Sequence, residues 1–304
     1  MENQNQPETF LSGTTDGATG GATARKTAGL NRRNAVKRLG LAAGGALALG
    51  LAPMTTLAAS DPYKTLVPAA NRKPSGYNVL LVHGAFADAS SWNEVTALLQ
   101  REGHNALAVQ LPLSSLADDV AVTKAALATL TGPTVIAGHS YGGAVITGAA
   151  TGVASVIGLV YASAFVPDTN ESLLDLLGKA APPEGAAYNV PSYRPGYLWI
   201  DPAHFPQVFA ADVEPSKARV MAVSQKPISF DCFGGPSGPA AWHEKPSWYL
   251  VSRQDKAINP DLERFMAKRA KAATIEVSSS HASPVSHPVE IVGLIGAAIR
   301  KDRK

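Results

Sequence analysis

The chain has 304 residues, 45% hydrophobic and 17% charged, a composition that can bury a sizeable single core and excludes an intrinsically disordered chain. Its formal charge of +3 arises in the first 60 residues, where Arg25, Lys26, Arg32, Arg33, Lys37 and Arg38 outnumber Glu2, Glu8 and Asp16. Residues 61–304 are therefore neutral and offer no electrostatic case for nucleic acid, and a single cysteine, Cys232, excludes an internal disulfide.

Residues 1–24 are rich in Gly, Thr, Asn and Gln without apolar periodicity and are expected to be disordered. Asn31-Arg32-Arg33-Asn34-Ala35-Val36-Lys37 then precedes a modest apolar run, Leu39 to Leu51, and the small residues Leu57-Ala58-Ala59-Ser60. This order resembles a twin-arginine export signal, with cleavage near residues 58–60 and release into the periplasm or medium. Partners on this reading are the export machinery and, for the mature chain, a small molecule. A retained anchor is the alternative, but the apolar run falls short of the ~20 residues a membrane span requires.

From residue 77 the pattern is regular. Tyr77 to His83 reads as a strand buried on both faces, and Ser91 to Arg101 as a helix capped by Ser90 or Ser91. Asn105 to Gln110 follows as a strand. Ser115 to Leu130 follows as a helix, with Asp118 and Asp119 in its first turn favouring the helix dipole. Thr134 to Ala137, Ser140 to Ala150 and Val156 to Ala162 continue the series as strand, helix and strand. Regularity lapses between about Phe165 and Lys245, a segment holding 11 of the 22 prolines and many aromatics, and reads as an inserted cap with short helices such as Ser216 to Ser224. Ser247 to Ser252 (strand), Asp261 to Ala270 (helix), Thr274 to Val277 (strand) and Pro288 to Ile299 (helix) then resume the alternation. Strands alternating with helices predict an α/β fold with a mostly parallel sheet, bracketing the insertion within residues 61–304.

Within that series, Gly138-His139-Ser140-Tyr141-Gly142 spells G-x-S-x-G between a strand and a helix. A serine hydroxyl attacks a carbonyl only when it is exposed beside a base, and a tight strand-to-helix turn provides the exposure. The base needs an acid to orient it, in the order Ser, Asp or Glu, His. Asp255 lies three residues beyond the strand ending at Ser252, and His281 four beyond the strand ending at Val277. Both fall at carboxyl ends of strands, the edge where open α/β sheets place their chemistry.

His287, just before Pro288, is the rival base; His104 is expected on the surface, and the His139 side chain is expected to point into the sheet packing. His83 is expected to hydrogen-bond the loop after the first strand. Asp201 and Asp231 belong to the cap, Asp261 reads as an N-cap, and Cys232 is an alternative nucleophile lacking a strand-turn-helix context. The amide of Tyr141, at a helix N-terminus, and that of Ala85, freed by the turn at Gly84, are the candidate oxyanion donors.

His83-Gly84-Ala85-Phe86 with Ser91-Trp92, Gly138 to Gly143, Ser252 to Ile258, Ser280-His281 and Ser286-His287-Pro288 resemble the α/β-hydrolase superfamily. The likeness is to its bacterial esterase-like members and, more distantly, to the plant methylesterase and hydroxynitrile lyase group. The resemblance spans about residues 77–300. It implies a hydrolase fold with a helical cap, Ser140 as nucleophile, Asp255 as acid, His281 as base, the amides of Ala85 and Tyr141 as oxyanion hole, and ester hydrolysis without metal or organic cofactor. Cofactor-free perhydrolase or lyase chemistry on the same triad, and a non-catalytic binding protein, are the alternatives. Lyases of the group carry a lysine directly after the histidine, where this chain has Ala282.

Overall fold

A computed structural model describes residues 75–304; the expected disordered leader, export signal and cleavage site lie outside the described residues. Six strands form one sheet in the order β2-β1-β3-β4-β8-β9, every neighbouring pair parallel. They are β1 (Asn78–Val82), β2 (Asn105–Val109), β3 (Thr134–His139), β4 (Val156–Ala162), β8 (Ser247–Ser252) and β9 (Ala273–Val277). Central β1, β3 and β8 are buried along their whole length, whereas the edge strands β2 and β9 are largely exposed or half-buried. Runs such as Asn78-Val-Leu-Leu-Val82 form such strands because parallel strands covered on both faces need apolar residues on both.

Helices α1 (Asn93–Arg101), α2 (Leu116–Ala128), α3 (Tyr141–Ala149), α8 (Pro260–Arg269) and α9 (Pro288–Asp302) cover the sheet. Two apolar clusters lie on its opposite faces. One gathers Leu80, Ile136, Val145, Tyr161 and Met266; the other gathers Leu81, Trp92, Val160, Leu250 and Ile295. Alternate residues of one strand thus feed different cores, as the twofold strand period requires.

Several local expectations are corrected. Asp88, rather than Ser90 or Ser91, caps the first helical turn, accepting from the Ser90 amide at 2.8 Å ahead of a short 3-10 segment, Ala89–Trp92. Asn259, rather than Asp261, caps α8, accepting from the Asp261 amide at 2.9 Å. The His104 side chain is only 8% exposed and its Nδ1 pairs with Ser75 Oγ at 2.7 Å.

The insertion between β4 and β8 carries helices α4 (Leu173–Leu177), α5 (Phe205–Val208), α6 (Pro215–Val223) and α7 (Asp231–Gly234). It also carries a three-stranded antiparallel sheet of β5 (Asn189–Pro191), β6 (Tyr197–Ile200) and β7 (Ile228–Ser229). These strands of two to four residues are too short for an alternating signature, so the sequence reads only the helical part. A third cluster, with Phe205, Val208, Phe209 and Ala222, gives the cap its own core, and Ala282 from the sheet edge joins it.

Candidate active site

The turn from β3 into α3 sets the geometry. Ser140 has φ 54° and ψ −124°, a conformation that costs a non-glycine residue of order 1–3 kcal/mol and persists only when the surroundings over-determine it. Here they do. A Cβ on Gly142 would stand 2.4 Å from the Val82 carbonyl oxygen, and one on Gly138 2.5 Å from the Gly142 oxygen. Both glycines are therefore fixed by backbone crowding, and the turn between them has no looser alternative. Phe165 N donates to Ser140 O at 3.1 Å, tying the elbow to the chain after β4.

Asp255 and His281 meet beside this elbow. His281 Nδ1 and Asp255 Oδ2 are 2.5 Å apart, both side chains almost completely buried. With a carboxylate as partner, Nδ1 carries the proton and Nε2 presents a lone pair. The other oxygen, Asp255 Oδ1, accepts from the amides of Ala257 and Ile258 at 2.7 and 2.8 Å, which fixes the carboxylate plane. Ser140, His281, Ala85 and Tyr141 then line one cavity of about 90 Å³ with the apolar residues Phe165, Val208, Phe209 and Ile258.

The loop after β1 takes its shape from His83. The Leu111 amide donates to His83 Nε2 at 3.0 Å, so Nδ1 holds the proton and donates to Gly84 O at 2.9 Å. Burial lowers the His83 pKa to about 4, which keeps the ring neutral in that tautomer. Because the carbonyl and N–H of a trans peptide point opposite ways, anchoring Gly84 O directs the Ala85 N–H away from His83. Neither the Ala85 nor the Tyr141 amide has a protein acceptor among the described residues.

The sequence alone does not assign the roles that three residues take around the site. His139 does not simply pack into the sheet: its ring lies 4.8 Å from that of His281, and its Nε2 donates to the His281 carbonyl at 2.8 Å. Burial holds its pKa well below the usual histidine value, so it remains a neutral strut. Asp119 does not face the solvent with Asp118. It turns inward to accept from Leu113 N at 2.9 Å and from the Tyr141 hydroxyl at 2.6 Å, anchoring the residue after Ser140. Glu263 is wholly buried and accepts from the Ser252 amide at 3.0 Å, three residues before Asp255. In both helices the signal was helical phase: Asp119 shares the buried stripe of Leu116, Thr123 and Leu127, and Glu263 that of Leu262, Met266 and Ala267.

The rivals lie elsewhere. His287 faces Glu290 at 3.3 Å and Asp212 at 3.5 Å, outside the residues lining the cavity. Asp201 accepts from the Ala203 amide and pairs with His204, and Asp231 opens α7. Cys232 is buried 3.9 Å from Asp119, and burial pushes its thiol up to about 12, which leaves almost no thiolate at neutral pH.

The cap reaches the base directly. Phe209 sets its ring edge-on to His281 at 4.7 Å, and its carbonyl accepts from the Ala282 amide at 2.9 Å and from Ser280 Oγ at 3.1 Å. A second cavity of about 210 Å³ lies across Phe86 and Phe209, lined also by His139, Met221 and Val285. Among the described residues, no group of three or more His, Cys, Asp or Glu is arranged to hold a metal ion. No described helix is long and apolar enough to cross a membrane.

Comparison with known proteins agrees with this architecture. Residues 79–294 match the model of the alpha/beta hydrolase family. A carbendazim hydrolyzing esterase of Nocardioides sp. is 33% identical over 134 residues, 40% of this chain, and the chain spans only 55% of that relative's length. The alpha/beta hydrolase nvfD of Aspergillus novofumigatus is 25% identical over 240 residues, covering 71% of this chain and 94% of the relative. A pyrethroid hydrolase from Sphingobium faniae superposes with TM-score 0.64 at 20% identity, covering 75% of this chain and 99% of that one. Polyneuridine aldehyde esterase superposes at 0.63 and 18%, covering 73% and 98%; these two likenesses speak for the fold. The chain belongs to the alpha/beta hydrolase family.

Proposed function

We propose that the protein hydrolyses carboxylic esters through an acyl-enzyme formed on Ser140. The observation that carries this reading is the 2.5 Å pairing of His281 Nδ1 with Asp255 Oδ2 at the cavity that Ser140 lines from a positive-φ turn. In the first half-reaction His281 Nε2 takes the Ser140 proton as Oγ attacks the carbonyl. The oxyanion forms against the amides of Ala85 and Tyr141, and the alcohol leaves with the proton. Water repeats the sequence through the same base and releases the acid. Asp255 remains ionised throughout and steadies the imidazolium.

The apolar lining and the small volume beside Ser140 suit an uncharged, compact acyl group, and the larger space across Phe86 and Phe209 suits a bulkier alcohol. Relatives named for carbendazim and pyrethroid hydrolysis place those two compounds on the panel to be tried. The test is hydrolysis of p-nitrophenyl esters of increasing acyl length by the wild type and Ser140→Ala. Activity that disappears with the hydroxyl supports the reading, and activity that survives overturns it.

We also propose that residues 1–60 direct twin-arginine export and are removed near residues 58–60. Arg32-Arg33 ahead of the weakly apolar run supports this. Sequencing the N-terminus of exported material, expected to begin near Asp61, tests it.

A further inference from the structure

The loop that leaves β2, Leu111-Pro112-Leu113, stands between the cap and the two residues that offer oxyanion amides. Leu111 and Leu113 are completely buried, and Pro112 has no N–H, so the tripeptide carries two donors. Both are spent on the hydrolase body. Leu111 N donates to His83 Nε2 at 3.0 Å, and Leu113 N donates to Asp119 Oδ1 at 2.9 Å. The carbonyls of the same two residues are taken by the cap. Leu111 O accepts from Lys226 Nζ, and Leu113 O accepts from Ser229 N, on β7, at 2.9 Å.

Each donor leads on to one oxyanion amide. From Leu111 the chain passes through His83 to Gly84 O at 2.9 Å, the carbonyl of the peptide unit whose N–H is that of Ala85. From Leu113 it passes through Asp119 to the Tyr141 hydroxyl at 2.6 Å. Two unbroken chains of hydrogen bonds therefore run from one short cap segment, Lys226 to Ser229, to the two residues proposed to hold the oxyanion.

The connector is stiff. A residue before proline is confined to extended conformations, which couples the Leu111 carbonyl to its N–H. Leu113 is held at φ 58°, a conformation that a bulky residue adopts only when its surroundings impose it. With the N–H and carbonyl of both leucines bonded and both side chains in the core, a shift at the cap end is not absorbed within the loop.

We propose that Leu111-Pro112-Leu113 couples the cap to the oxyanion hole, with Lys226 as the positioning residue on the cap side. Its ammonium holds the Leu111 carbonyl, and through that residue the His83 ring, without touching substrate. A cap seated at Lys226 and Ser229 keeps the Ala85 and Tyr141 amides aimed at the developing oxyanion. A cap displaced there lets both drift. The role deepens the esterase reading and rests on it.

Lys226→Met keeps the apolar stem and removes the ammonium. Outright loss of one oxyanion donor costs roughly 100- to 1000-fold in kcat, so a tilted donor is expected to cost about tenfold, with KM within about twofold of wild type. Affinity for phenylboronic acid, whose tetrahedral adduct on Ser140 sets an oxygen at the same amides, is expected to fall by the same factor. Exchange of the Leu111 amide, followed by NMR, is expected to quicken about tenfold or more, since its bond to His83 opens more often. Should Lys226→Met fail to fold, Lys226→Gln, whose amide ends one bond short of Nζ, carries the same expectations.

Wild-type kcat in the variant, or an unchanged Leu111 exchange rate, overturns the coupling. So does a rise in KM alone, which marks a cap that binds substrate without aiming the amides. A wild type inactive on every ester overturns the esterase reading instead, and the Leu111 exchange rates still decide whether Lys226 holds the loop.

Discussion

His139 donates from Nε2 to the main-chain carbonyl of His281 at 2.8 Å, so the neighbour of the candidate nucleophile braces the loop that carries the candidate base. Two histidines 142 residues apart in sequence are thereby fixed with their rings 4.8 Å apart. Replacing His139 with Phe keeps a ring but deletes the donor and leaves a buried carbonyl unpaired. Since a misplacement of about 1 Å can cost roughly 100-fold in rate, kcat for ester hydrolysis is expected to fall about 10- to 100-fold with KM little changed. Equal kcat in wild type and Phe variant refutes the bracing role.

The strain at Ser140 gives a prediction in which stability and activity move oppositely. Glycine relieves the φ of 54°, whereas alanine retains it. Ser140→Gly is therefore expected to raise the unfolding free energy by about 1 kcal/mol relative to Ser140→Ala, net of glycine's unfolded-state entropy, with both inactive. Urea unfolding of the pair measures the difference. An alanine variant as stable as the glycine variant shows that the turn stores no strain.

Tyr141 combines a backbone role with a side-chain anchor. Its hydroxyl is 2.6 Å from Asp119 Oδ2 in a buried setting, so Tyr141→Phe leaves a carboxyl oxygen short of a donor. The expected cost is about 1–3 kcal/mol in urea unfolding. Asp119 already has a raised pKa, chiefly through burial, and loss of the tyrosine hydroxyl is expected to raise it further. An unchanged unfolding midpoint contradicts the anchor.

His83 links the site to pH. Its pKa is lowered from 6.5 to about 4 in the folded protein, so the unfolded chain binds the proton first as pH falls. Its contribution is present above about pH 6.5 and is lost as pH drops toward 4, amounting to about 3 kcal/mol in all. His83→Gln, which cannot titrate, is expected to unfold with a shallower loss of stability over that window than the wild type. Thermal melts of both proteins from pH 7 to 4 measure it, and parallel curves contradict the assignment.

Much of the fold was legible because β1, β3, β4 and β8 are short runs dominated by apolar residues, separated by helical stretches of different period. Ser140, Asp255 and His281 were legible as candidates for a different reason: each follows a readable strand, so topology alone places them on one edge of the sheet. The parts that escaped depend on direction or on distant contact. Asp118 and Asp119 are adjacent and chemically alike, and only helical phase separates the exposed one from the one that anchors Tyr141. His139 could not be read as a brace because its partner carbonyl lies on a loop 142 residues away. The cap resisted because its strands have two to four residues and its prolines interrupt periodicity.

The most direct measurement of the central claim is covalent labelling with a fluorophosphonate, followed by mass spectrometry of the digested protein. One adduct is expected, on the peptide carrying Ser140, forming at a rate that collapses in His281→Ala and absent in Ser140→Ala. An adduct on another residue, or undiminished labelling of either variant, contradicts the account.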